Sequence, residues 1–177
     1  RKHIAGTRMN WAFRVVATSI TEPHAYDEIH APWCCGVVSY RQALLGKMMR
    51  RRSNKFPAGM SHNASLDHLF RHVATYDPMI SEFLDELIEE SKTGLPATVN
   101  RNPSLLSGSL QLRRITRFVK DPLFRGVREP ILAVKASNCD FDGDFLMVTL
   151  GLDKHFERLL QPMRLNTSVF GFGKPYE

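Results

Sequence analysis

Asn138-Cys139-Asp140-Phe141-Asp142-Gly143-Asp144 sets three carboxylates at alternate positions within five residues. In an extended segment alternate side chains point to the same side, and Gly143 lets the backbone curl between the last two acids. Asp140, Asp142 and Asp144 can therefore aim at one point. Like charges held that close repel unless a cation sits between them. A hard divalent cation with oxygen ligands suits the set. Mg²⁺ suits it best, because it takes few protein carboxylates and keeps sites for water and substrate phosphates. An Asp-rich solvated turn is the plain alternative. A calcium-binding EF-hand loop fails on spacing: counted from Asp140, the sixth position is Phe145 where glycine is needed, and the twelfth is Gly151 where a bidentate Glu is needed. The flanks argue against a surface turn. Ile131, Leu132, Ala133 and Val134 precede the acids and Phe145, Leu146, Met147 and Val148 follow them, and acids set between apolar runs are costly to desolvate without a purpose.

The rest of the chain bounds that reading. Its 177 residues suffice for one domain, or one domain with an elaborate insertion, and a hydrophobic content of 43% suits a globular core. No run approaches the roughly 20 apolar residues of a membrane helix. The chain begins with Arg1 and shows no signal peptide, which predicts a processed chain or a piece of a longer one. A net charge of +6 suits a polyanionic partner. Cys34 and Cys35 are adjacent, form no CxxC pair, and with Cys139 make an odd count, so a reduced intracellular compartment is expected.

Along the chain, the β-branched run Phe13, Val15, Val16, Ala17 reads as a buried strand among Arg1, Lys2, His3, Arg8 and Arg14. Residues 33–95 read as helical. A helix over 37–52 ends in Arg50, Arg51 and Arg52, and Ser65 or Asn63 can cap one that carries Leu66, Leu69, Phe70 and Val73. His68 and His72 sit one turn apart, but Leu69 stands where an HExxH metalloprotease needs its Glu, so both read as ordinary helix-surface residues. Asp77 as N-cap and Pro78 as first residue open the clearest helix, with Ile80, Phe83, Leu84, Leu87 and Ile88 as its apolar stripe and Gly94 past its end. Leu95 and Pro96 begin an extended region. Residues 109–120 read as a strand with a basic face of Arg113, Arg114, Arg117 and Lys120, suited to neutralising phosphates. Glu129-Pro130 reads as the opening of the strand that leads into the acidic motif, and Asp153 can cap a short helix through Leu160. No internal repeat is visible.

The acidic motif resembles the NADFDGD signature of the largest, β′-like subunit of multisubunit DNA-directed RNA polymerases, with Cys139 for alanine. Other segments resemble the same subunit in the same order. Residues 6–18, GTRMNWAFRVV onward, are similar to its GKRVDFSARTVI through Gly6, Arg8 and Arg14, with Thr7 for lysine. Asp27, Glu28, Ile29 and Pro32 match DEVxVP. Asn100-Arg101-Asn102-Pro103-Ser104 is similar to NRxPTLH, with Ser104 for threonine and Leu106 for histidine, and Glu129-Pro130 matches an HPLV step.

The resemblance implies an α+β fold, a double-psi β-barrel with a helical insertion. Residues 1–32 would hold a switch-like segment and the first barrel strand, 33–95 the insertion, 96–152 the rest of the barrel with the metal motif, and 153–177 a C-terminal helix and tail. It implies nucleotidyl transfer from ribonucleoside triphosphates to an RNA 3′ end. Asp140, Asp142 and Asp144 would be the catalytic Mg²⁺ ligands, Arg101 and Asn138 would meet the nucleotide and its ribose, and Arg8, Arg14, Arg113, Arg114 and Arg117 would lie along nucleic acid. The implied partners are a DNA template, the RNA product, a β-like subunit and the remaining β′-like part, without which the chain would be inactive. The short, divergent chain is similar to split subunits of bacteriophage polymerases, which implies a viral protein in the cytoplasm of a bacterial host or in a virion. The other readings are an RNA-dependent RNA polymerase of the two-barrel type and a nucleic-acid-binding scaffold that has lost its chemistry.

Overall fold

The computed structural model describes residues 11–51, 59–104, 107–151 and 154–168. Six strands close into a mixed barrel in the order β1-β5-β2-β4-β3-β6. They are β1 (Ala12–Ser19), β2 (Glu28–Pro32), β3 (Leu95–Arg101), β4 (Leu110–Val119), β5 (Gly126–Glu129) and β6 (Phe145–Leu150). Between β2 and β3 come α1 (Trp33–Ser39), α2 (Arg41–Arg50), α3 (His62–Arg71) and α4 (Pro78–Glu90). After β5 come α5 (Ile131–Ser137) and, beyond β6, α6 (Lys154–Leu159) and α7 (Leu165–Ser168).

Period-two patterning sets the barrel wall. Val15 and Ala17 of β1, and Leu146, Val148 and Leu150 of β6, are buried, while Arg14 and Phe145 stand outside. β1 and β6 run antiparallel with Arg14 opposite Met147, and β3 and β6 run antiparallel with Arg101 opposite Leu146. The far end of β3, the start of β6 and the middle of β1 therefore share one mouth of the barrel.

The pairing repeats itself internally. β1 is parallel to β5 and antiparallel to β6, while β4 is parallel to β2 and antiparallel to β3. Exchanging β1 with β4, β2 with β5 and β3 with β6 maps every ladder onto another or onto itself, the antiparallel pairs β2–β5 and β3–β6 included. Each half also carries a seven-residue helix entered through proline. Pro32 precedes α1 and Pro130 precedes α5, both extended at the helix boundary. Proline suits a helix start, where its missing N–H costs nothing. Here the structure corrects one sequence expectation: Glu129 ends β5, and Pro130 opens a helix rather than a strand. Ile131 and Leu132, read from sequence as an apolar flank, are exposed on that helix.

The helices between β2 and β3 share one continuous core with the barrel. It runs from Ile29, Val99 and Val148 through Trp33, Val37 and Leu44 to Leu69, Ile80, Phe83 and Leu84. Gly36 lets α1 lie against β4, because a Cβ there would meet the Phe118 ring at 2.7 Å. α3 is capped by Ser61 rather than Asn63 or Ser65, and Phe70 of its expected apolar face is exposed. α4 begins as expected, with Asp77 accepting from the Ile80 amide at 2.8 Å and Pro78 in its first turn. Among the described residues no helix is long and apolar enough to cross a membrane.

Candidate functional site

The acidic loop joins α5 to β6. α5 ends on Asn138, which adopts the left-handed conformation at φ 52° and ψ 39°. Asparagine is one of the few side chains that tolerate that region, so the residue has a backbone duty whatever its side chain contacts. Cys139 turns inward and its amide returns to the Val134 carbonyl at 3.0 Å. Asp140, Phe141, Asp142 and Gly143 are exposed, with Gly143 at φ 113°. A Cβ on Gly143 would meet nothing within 4 Å, so glycine is required there by the backbone alone.

Asp144 is the fixed point of the loop. Its carbonyl accepts from the Ala17 amide of β1 at 2.9 Å, and its carboxylate Oδ2 accepts from the Asp140 amide at 2.9 Å. Arg101, at the end of β3, grips the same carboxylate from the other side. Its Nη2 donates to Oδ1 at 3.1 Å and its Nε lies 2.8 Å from Oδ2. One hydrogen bond and one close ion-pair contact join the pair, since Nε is buried without a hydrogen-bond partner of good geometry. The Arg101 guanidinium, followed by the Asp140 amide, holds the Asp144 carboxyl below the usual range. Asp140 Oδ1 accepts from the Phe141 amide at 2.7 Å, which turns that side chain back onto its own loop.

Arg14 completes the mouth from β1. Its guanidinium lies 4.5 Å from the centre of the Phe145 ring, within cation–π range. Arg14, Asn102, Gly143, Asp144, Phe145 and Met147 line a cleft of about 250 Å³. Asn102, Phe145 and Met147 were not singled out in the sequence. The available signal was the alternation of β6, which puts Phe145 and Met147 on the face away from buried Leu146 and Val148. Beyond β3, Asn100 donates to Asn102 at 3.2 Å and accepts from the Ser104 hydroxyl at 2.9 Å, so the loop carrying Arg101 is internally braced.

The three aspartates are together in the loop but their carboxylates do not converge. Their ligand atoms do not all fall within 4.8 Å of one another. Each is held separately: the Asp144 carboxylate is paired with Arg101, that of Asp140 folds back onto the Phe141 amide, and Asp142 is exposed. The donor set itself, three carboxylates on a glycine turn with two of them exposed, fits a hard cation that keeps water and substrate oxygens.

The other expected contacts divide. Arg8 lies outside the described residues. Arg113 is wholly buried, which corrects its expected place on a basic surface. It donates to the Tyr26 carbonyl at 2.9 Å and to Gln111, and stands 3.7 Å from Glu129. Burial outweighs the attraction between the two: it pulls Arg113 down to about 10 and pushes Glu129 up to about 7. Burial, with Glu129 and Asp144 nearby, also lifts the Cys139 thiol to about 12. The β-alternation missed Arg113 because Gln111, Leu112 and Arg113 are all buried, so β4 is covered on both faces there. Arg114 is half-exposed and pairs with buried Asp27 at 2.7 Å, and exposed Arg117 pairs with Glu22. Glu28, whose carboxyl accepts from Thr116 and approaches His30 Nε2 at 2.9 Å, belongs to the same wall. Neither a family model nor a curated protein matches the chain.

Proposed function

We propose that this chain is the catalytic part of a DNA-directed RNA polymerase β′-like subunit, active within a larger assembly. The observation that carries the reading is the Arg101–Asp144 pair. These residues lie 43 apart in sequence, in two of the segments that resemble the polymerase subunit. A third resembling segment brings Arg14 to the same cleft. Segments chosen by resemblance alone have no reason to meet unless the likeness extends to the site. The exchange symmetry of the strand ladders, with a proline-started helix in each half, supports the finer fold reading of a double-psi barrel.

On this reading Asp140, Asp142 and Asp144 would hold Mg²⁺. A bound Mg²⁺ supplies Lewis-acid activation of the RNA 3′-hydroxyl and neutralises developing phosphate charge. The chain's own residues do the positioning. Arg101, fixed at the end of a strand, keeps Asp144 ionised, and would turn its guanidinium to phosphate or ribose oxygens once Mg²⁺ takes over that carboxylate. Asn138, held in one backbone conformation, presents its amide beside the acids, where it can read a ribose hydroxyl. Arg14 offers charge to the nucleic-acid backbone at the cleft's edge.

Template choice tests the assignment. The native complex should extend RNA on a DNA template and not on RNA. Extension on RNA alone would favour the RNA-dependent two-barrel enzyme. Absence of nucleotide incorporation on either template would leave the scaffold reading.

A further inference from the structure

We propose that the helical insertion carries a second metal site, a zinc site formed by His68, His72 and Asp77. Among the described residues this is the one set of three or more His, Cys, Asp or Glu whose ligand atoms all lie within 4.8 Å of one another. It is remote in sequence from the barrel loop and independent of the polymerase reading.

The geometry is that of atoms converging on a point. His68 Nε2 lies 3.2 Å and His72 Nε2 3.9 Å from Asp77 Oδ2, and the two rings are 4.3 Å apart, tilted by 35°. Tetrahedral zinc with bonds of ~2.0–2.1 Å spaces its ligand atoms by about 3.3 Å. The atoms do not satisfy one another. His68 Nε2 is buried and lacks a hydrogen-bond partner despite its closeness to the carboxylate. A buried ring nitrogen left in that state is a cost, and a cation at the common centre removes it.

The outer contacts prepare each ligand. His72 Nδ1 lies 2.7 Å from the His68 carbonyl. A carbonyl only accepts, so Nδ1 carries the proton and Nε2 keeps its lone pair for a metal. Asp77 Oδ1 is used by the Ile80 amide at 2.8 Å, which leaves Oδ2 toward the histidines. The His72 carbonyl accepts from Nε1 of fully buried Trp33 at 2.8 Å, so the turn between α3 and α4 is anchored to α1. Two imidazoles and one carboxylate make a borderline donor set that suits Zn²⁺ with one open position, rather than Mg²⁺. The ion would clamp the end of α3 to the start of α4.

The test uses the full chain, stripped of metal and titrated with Zn²⁺ alone, then with Co²⁺ as a visible probe. The expected result is one equivalent bound, a tetrahedral cobalt d–d spectrum without a thiolate charge-transfer band, and a rise in melting temperature on the order of 4 °C. His72→Gln and Asp77→Asn should each lower affinity by at least the ~10–100-fold that loss of an outer partner costs. Asp77→Asn keeps a good helix cap, so its loss of zinc cannot be laid to unfolding. Asp142→Asn should bind zinc as the unaltered chain does. Failure to bind one equivalent at micromolar zinc, a thiolate band, or unchanged binding by both ligand variants overturns the proposal.

Discussion

The two acid-bearing regions of this protein are opposites. In the barrel loop, Asp140, Asp142 and Asp144 are crowded along the chain yet their carboxylates stay apart, one folded back onto the Phe141 amide, one on an exposed residue and one paired with Arg101. In the insertion, His68, His72 and Asp77 are spread over two helices and a turn, yet their ligand atoms converge. The difference lies in what surrounds each set. The loop has exposed charges and a glycine hinge, and its carboxylates are held separately. The insertion's ligands are half-buried and oriented by a carbonyl, a helix cap and a tryptophan. A loop of the first kind suits a hard ion that arrives with substrate oxygens, and a cluster of the second kind suits a resident ion.

The sharpest way to break this contrast is to exchange the metals. Mn²⁺, as a paramagnetic stand-in for Mg²⁺, should broaden the backbone resonances of residues 138–145. An Asp140→Asn/Asp142→Asn chain should lose that broadening while its zinc affinity is unchanged. Broadening centred on His68 and His72 instead would merge the two regions into one site. Asn138→Gly comes next. Glycine adopts φ 52° freely, so thermal stability should hold while the assembled enzyme loses about tenfold in ribonucleotide over deoxyribonucleotide preference, roughly 1.4 kcal/mol. Unchanged preference would leave Asn138 with its backbone duty alone. In the insertion, Asp77→Ala should destabilise the chain by about 1 kcal/mol through the lost cap, whereas Asp77→Asn should not. Urea melts of the metal-free proteins separate the two.

The smallest effect concerns the wall beneath the loop. Burial raises the Glu129 carboxyl from 4.5 to about 7, so the folded chain holds a proton there that the unfolded chain has released. This group's stabilising contribution is complete below about pH 4.5 and is lost as pH rises toward 7. Glu129→Gln imitates the protonated form. Its stability should match the unaltered chain near pH 4.5 and exceed it above 7, which urea midpoints across that range will show.

What was legible in the sequence was local. Asp77-Pro78 announced α4 because cap and first-turn residues act on their own neighbours. The short β-branched run Phe13, Val15, Val16, Ala17 announced β1. The acidic motif showed three carboxylates close together in the chain, but their expected convergence and the argument from the flanks against a surface turn both failed, because residues 140–143 form an exposed turn. Features set by distant partners were not legible. Arg113 looks like its basic neighbours and is buried because Tyr26, Gln111 and Glu129 wait for it inside. His68 and His72 look like surface residues until the next helix brings Asp77 across the turn. Pro130 is equally suited to a strand edge or a helix start, and the matching Pro32–α1 step of the other half shows which applies. That two-fold pairing leaves no visible repeat in the residues, since ladders are made by backbone groups that every sequence shares.

The central claim is that the aspartate loop is a nucleotidyl-transfer site. Primed RNA extension on a DNA template by the assembled complex, with Asp142→Asn replacing the native residue, tests it most directly. The account predicts intact assembly and a loss of at least ~10³-fold in rate, several kcal/mol of transition-state stabilisation. Extension at the unaltered rate by that complex would contradict it.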